Sequence, residues 1–308
     1  MAPQPQDIPR LYTPAMLAEL LHLPVTVVRG WQRRGLIQPT CTVRRLAYFS
    51  FDEVTTARRL AELRSAGVSA QMIEKKLAAI RRAMPDVQRP LSELSVVIEG
   101  KELLLRQNDG LVDPVGQLRI DFDAAETAGS FAGDDRSGSP SVLSITGPGE
   151  FDRSMARPEQ MLDWAAQLEE DDQLEAAAEM LRAALAAGGP KPEICFHLAE
   201  LLYRLGELPA ARERYYMATE LDEDYVEARA NLGCVLAEMG HADLAIAAFQ
   251  GALAYHADYA DVHYHLARTL DDSDRHEEAQ RHWQAFMNLA ADSPWADEAR
   301  ERLATQSP

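Results

Sequence analysis

The sequence predicts a mainly α protein: a basic N-terminal head, a small β segment, a flexible linker and a C-terminal helical solenoid. Three observations carry that prediction. Basic residues concentrate in the first 90 positions although the whole chain is acidic. A stretch rich in Gly, Ser, Ala and Asp, with no sustained apolar period, interrupts residues 124–156. Beyond it, small and large residues recur at a spacing of 34.

The chain has 308 residues, of which 46% are hydrophobic and 26% charged. That length accommodates two domains and that composition is globular. No apolar run approaches the roughly 18–20 residues of a membrane span. The start, MAPQPQDIPRLY, lacks a basic patch followed by an apolar stretch, so no secretory signal is expected. Cys41, Cys195 and Cys234 form no CxxC pair and no even disulfide set, as a reduced cytoplasmic setting implies.

The net charge of -18 averages two opposite halves. Residues 1–90 hold 14 Lys/Arg against 7 Asp/Glu, and the remainder 17 against 42. The head therefore has the charge that duplex DNA attracts, and the body has the charge that repels it.

Residues 1–10 read as a disordered N-terminus and 11–84 as the head. Leu17, Leu20 and Leu21 are expected on the inner face of a first helix that stops at Leu23-Pro24. Thr26 caps or enters a second helix carrying Arg29, Trp31, Arg33 and Arg34, closed by Gly35. TCTVRRLAYFS alternates like a hairpin around Val43, Leu46 and Tyr48, with Arg44-Arg45 near its tip. Ser50 and Ser69 stand where helix caps belong. Between 92 and 123, Val96–Glu99 and Glu102–Arg106 flank a Gly100-Lys101 turn, and Asn108-Asp109-Gly110 marks another before a strand at Gln117–Phe122.

Residues 158–304 repeat without a gap over units 158–191, 192–225, 226–259 and 260–293. Leu198, Leu232 and Leu266 share one register, with Trp164 a unit earlier. Ala165, Ala199, Gly233 and Ala267 follow, then Ala177, Ala211, Ala245 and Ala279, then Leu181, Tyr215, Phe249 and Trp283. Small positions let paired helices approach and large ones fill between units. Gly206 and Gly240 mark the turn inside two units, with Asp172 and Asp274 in that place in the other two. PWADEARERLA, 294–304, is expected to cap the array with Trp295 and Leu303 docked.

This array resembles the tetratricopeptide repeat (TPR), whose units are antiparallel helix pairs. The resemblance implies a concave side, made by the first helices, that binds extended peptides. Candidate groove residues are Phe196, His197, Glu200, Tyr203, Arg204, Asn231, Glu238, Tyr264, His265 and Arg268, with Glu193, Glu227 and Asp261 beside them. The bland alternative is a solvated helix face. The groove holds no lysine and its acids outnumber its two arginines, so a basic or aromatic-bearing segment suits it better than an acidic tail.

The head resembles the winged helix-turn-helix of the MerR family of bacterial transcription regulators. The matching residues are Arg29-Gly30-Trp31-Gln32-Arg33-Arg34-Gly35-Leu36-Ile37-Gln38-Pro39 and Tyr48-Phe49-Ser50-Phe51-Asp52-Glu53-Val54. The resemblance implies a second helix in the major groove of double-stranded DNA and a wing on the flanking backbone. Candidate DNA-contacting residues are Thr26, Arg29, Trp31, Arg33, Arg34, Arg44, Arg45 and Tyr48. Alternatively Trp31 is a core anchor, Tyr48 packs the wing, and the arginines are a solvated face. Gly30 and Leu46-Ala47 depart from the family's pattern, and Pro85 and Pro90 fall where its long dimerisation helix would run. Any homodimer would then form through 92–123 or the array. The charges also allow the acidic array to dock on the basic head and mask it.

His256, His263, His265, His276 and His282 scatter over different helices and turns, so no metal site is expected. The sequence contains no GxxxxGK[ST], GxGxxG, HExxH or GxSxG run. The expected function is a DNA-binding regulator without catalysis or cofactor. Its repeats would recruit a protein partner or self-associate. The alternative is a repeat scaffold whose head binds protein.

Overall fold

A computed structural model describes residues 11–83, 91, 96–99, 102–107, 110–112, 118–119 and 158–305. The expected N-terminal tail 1–10, the breaks at Pro85 and Pro90 and the linker 124–156 lie outside the described residues. The chain divides into two compact units. One comprises residues up to Ala61 together with Arg157–Pro308, and the other is Glu62–Ala156. The first two helices and the wing of the head thus share one unit with the repeat array, while the division falls within the third helix of the expected 11–84 head.

In that unit α1 spans Pro14–Leu21 and α2 spans Val25–Arg33. Thr13 caps α1, its hydroxyl accepting from the Met16 amide at 3.2 Å, and Pro14 supplies the favoured first residue. Leu17 is fully buried as expected, but Leu20 faces solvent. Pro14, Met16 and Ala18 complete the inner face instead. Pro24, not Thr26, occupies the cap position of α2. β1 (Cys41–Val43) and β2 (Leu46–Tyr48) pair antiparallel to form the wing. Tyr12 and Phe49 exchange backbone hydrogen bonds at 2.8 and 2.9 Å, tying the start of the head to the wing. The next helix, α3, spans Phe51–Ser65. Its buried Glu53 accepts from the Gln38 amide at 2.9 Å and fixes the turn after α2.

The tip of the wing is unusual. A two-residue hairpin turn wants positive φ at both central positions, which asparagine and glycine tolerate best. Here Arg44 (φ 47°) and Arg45 (φ 66°) take it, at a cost of roughly 1–2 kcal/mol each. Strain retained in that way calls for contacts that hold it.

The array follows the repeat register. Its helices are α5 (Pro158–Glu170), α6 (Leu174–Gly188), α7 (Pro192–Arg204), α8 (Leu208–Leu221), α9 (Val226–Glu238), α10 (Ala242–Tyr255), α11 (Ala260–Asp271), α12 (His276–Ala290) and α13 (Ala296–Thr305). They form four antiparallel pairs and a terminal helix, so the fold is mainly α, with a repeat solenoid as predicted. Ala177, Ala211, Ala245 and Ala279 are fully buried, as are Leu181 and Trp283, with Tyr215 and Phe249 nearly so. Gly206, Gly240, Asp172 and Asp274 all have positive φ, the left-handed conformation that ends each first helix. Trp295 stacks on Tyr264 with ring centroids 5.0 Å apart, and Leu303 packs on the core, so the last helix caps the array.

The other unit contains α4 (Ala70–Ala83), where the Ser69 hydroxyl accepts from the Met72 amide at 3.3 Å. It also contains a four-stranded antiparallel sheet of order β3-β4-β5-β6: Val96–Glu99, Glu102–Gln107, Gly110–Val112 and Leu118–Arg119. Gly110–Val112 pairs with the preceding strand, so Gly110 belongs to a strand and not to the turn that the sequence suggests; Asn108 and Asp109 lie outside the described residues. Among the described residues, no helix is long and apolar enough to cross a membrane.

Candidate functional site: the head in the repeat groove

The acids at the second position of successive units share one register: Glu159, Glu193, Glu227 and Asp261, each 34 residues from the next. Repetition places them one above another along the first helices. Glu193, Glu227 and Asp261 hold the head. Glu193 pairs with Arg45 of the wing at 2.5 Å, Glu227 with Arg29 of α2 at 2.7 Å, and Asp261 accepts from the Thr13 hydroxyl at 2.6 Å.

Arg29 is the most enclosed contact. It is 7% exposed, its guanidinium lies 4.7 Å above the Phe196 ring, and Glu200 pairs with it from α7 opposite Glu227. Burial opposes its charge, Glu227 more than offsets that, and its pKa is held above the ordinary arginine value. Arg45 lies 5.4 Å from the Tyr225 ring and pairs with Asp222 as well as Glu193. Arg44 pairs with Asp224 at 2.6 Å, so both strained tip residues are anchored.

The near end of the groove forms a second network. Arg204 donates to the Thr26 hydroxyl at 3.0 Å and to Glu169 at 3.1 Å, while Arg34 pairs with Glu170 at 2.5 Å. Arg33 is more exposed and lies 3.9 Å from Glu169. Burial pushes Glu169 up, but the His197 hydrogen bond at 2.8 Å, Thr26 and Arg33 win, and its pKa falls to about 2. At the far side Tyr48 meets His256 at 2.6 Å. Burial raises the phenol's pKa and lowers the imidazole's, so both groups meet in their neutral forms. Burial, aided by Glu227, raises Asp261 to about 7 against the Thr13 hydrogen bond.

Of the residues expected to touch DNA, Thr26, Arg29, Arg33, Arg34, Arg44, Arg45 and Tyr48 all face array residues. Trp31, 3% exposed, sits in the core. Of the expected groove residues, Phe196, Glu200 and Arg204 meet the head directly, and His197 supports Glu169. Asn231 donates to the Tyr215 hydroxyl at 3.4 Å, and Tyr203 bonds to Glu238. Tyr264, His265 and Arg268 turn toward the end of the array, meeting Trp295 just before the terminal helix or Glu298 within it. Two of the scattered histidines do meet, His263 and His282, at 2.9 Å. Among the described residues no group of three or more His, Cys, Asp or Glu converges for a metal.

The class defined by these modules is a helix-turn-helix with a wing joined to a helical-repeat array, both non-enzymatic kinds of domain. In particular, residues 12–80 carry the helix-turn-helix of MerR HTH family regulatory proteins. Tetratricopeptide repeats occupy 199–240 and 231–286 in overlapping matches. The chain is similar in structure to MamA protein, with 21% identity and a TM-score of 0.45, covering 48% of this chain and 79% of that one. YrrB, described as a TPR protein with an unusual peptide-binding site, matches with 23% identity and a TM-score of 0.44 over 47% of this chain and 74% of its own. No curated protein matches.

Proposed function

We propose that this protein is a MerR-type DNA-binding transcription regulator, held in a closed state by its own repeat array. One observation carries the reading: the arginines of the second helix and wing, which such a head presents to phosphates, are paired with acids of the array. Carboxylates seated on these guanidiniums occupy the N–H donors that phosphates would use, and their negative charge repels the phosphate backbone. DNA binding then requires the head to leave the groove, and apparent affinity is reduced by the fraction of molecules that are closed. The reading sets the protein in a bacterial cytoplasm, with a partner in the groove as the means of release. Any dimer would form through the β segment or the array.

The test uses the full chain and a duplex across a salt series. Glu193→Gln/Glu227→Gln removes the carboxylate charges facing Arg45 and Arg29 without touching the head. It is expected to bind at least tenfold tighter than wild type, with affinity falling steeply as salt rises. A second reading draws on the burial of Arg29 between Glu200 and Glu227: the head is a permanent part of the scaffold, bound to protein rather than DNA. Absence of duplex binding by both chains at low salt would select it and refute the regulator.

A further inference from the structure

Removing the head in thought leaves two receptor sites built wholly from the array. The first consists of the Phe196 ring with Glu200 and Glu227. The second consists of the Tyr225 ring with Glu193 and Asp222. Each offers one aromatic face and two carboxylates to a single cation. The two rings stack on each other, with centroids 4.7 Å apart and planes 26° from parallel, so the sites are neighbours on one aromatic stem. Arg29 fills the first and Arg45 the second.

Arginine is the residue whose shape this matches. Its guanidinium is flat, stacks on a ring and reaches two carboxylates at once, whereas the lysine ammonium is a strongly hydrated point charge. Glu200 adds a separate indication. It is 3% exposed and, apart from its ion pair with Arg29, neither carboxylate oxygen accepts a hydrogen bond. A buried carboxylate with unmet capacity is costly unless a cation faces it. The site is therefore shaped for a charge, and the head is one supplier of it.

We infer that the groove is a two-arginine receptor, and that its external ligand is a protein segment presenting two arginines a few residues apart. Such a segment takes the seats of Arg29 and Arg45 and releases the head. The release rests on the closed-state reading above, but the recognition rests on the array alone. The short separation of the two rings requires the arginines to come from one local stretch, since an extended chain advances about 3.3 Å per residue. The far groove residues Tyr264 and Arg268, committed to the cap, lie outside the receptor.

The probe is a capped hexapeptide with two arginines separated by two alanines, and its lysine counterpart, titrated calorimetrically into the full chain. Arg29→Ala/Arg45→Ala vacates both seats. The arginine peptide is expected to bind this variant at least tenfold tighter than wild type, and at least fivefold tighter than the lysine peptide does. Arg29→Gln/Arg45→Gln serves the same purpose should the alanine chain fail to fold. Equal binding to vacated and wild-type chains, or no preference for arginine over lysine, overturns the inference. Peptide binding that leaves duplex affinity unchanged upholds the receptor and removes the regulator reading. Duplex affinity that responds to the array substitutions while the vacated chain ignores the peptide overturns the receptor alone.

Discussion

Replacing Glu227 by glutamine tests the closed state at its centre without altering the head. The carboxylate accepts from the Arg29 guanidinium at 2.7 Å, and both partners are 7% exposed. A hydrogen bond to a charged group contributes roughly 1.5–3 kcal/mol. Glutamine keeps the shape and removes the charge, so the contact between head and array weakens by about that amount. At 1.4 kcal/mol per factor of ten, the open population rises about 10- to 150-fold, to the limit where most molecules are open. Apparent affinity for a duplex rises by the same factor, because only open heads bind. Fluorescence anisotropy of a labelled duplex with full-length protein reads this directly. Glu213→Gln, which removes an equal charge from an exposed position, controls for the general loss of repulsion. A Glu227→Gln chain that stays fully helical and binds duplex no tighter than this control would refute the closed state.

Other outcomes follow from the same contacts. Arg44→Ala should cost only ~0–1 kcal/mol of thermal stability, because its pair with Asp224 is half exposed on both sides. Asp261 gives a pH signature: its folded pKa of about 7 lies above the ordinary carboxylate value, so its contribution is fully present below about 4. It is lost as pH rises toward 7, by no more than ~4 kcal/mol. Asp261→Asn should remove that slope, seen as the difference between the two chains in urea melts at pH 5 and pH 7.5. Gly233→Ala would place a Cβ 2.5 Å from the Phe249 ring, which is buried and cannot retreat. A loss of roughly 1–3 kcal/mol in chemical denaturation is expected.

The repeat half was legible because its information is local and periodic. A helix pair every 34 residues dictates which alanines are buried and where a left-handed residue must fall, even at Asp172 and Asp274. Leu20 shows the limit at short range. An eight-residue helix has too few turns for spacing to fix its inner face, and the neighbouring Met16 and Ala18 took it. The β5 strand leaves no mark in the sequence, because three residues carry no alternation. The closed site was legible only as a possibility. Its acids stood in one register, but a row of acids on helices also describes a solvated face. What decides between them is the meeting of Arg29 with Glu227, 198 residues away, and no periodicity encodes that.

Repeat arrays flex because each unit touches only its neighbours. The head touches all four units, through Arg34 to Glu170, Arg45 to Glu193, Arg29 to Glu227 and Thr13 to Asp261. It is thus a cross-brace, tying four rungs that would otherwise turn independently about their shared axis. While the brace is in place, the coil's pitch is set by the spacing of these residues on the head. Lifting it returns that freedom to the array, so under the proposed closed-state reading DNA capture by the head and suppleness in the coil arrive in the same event.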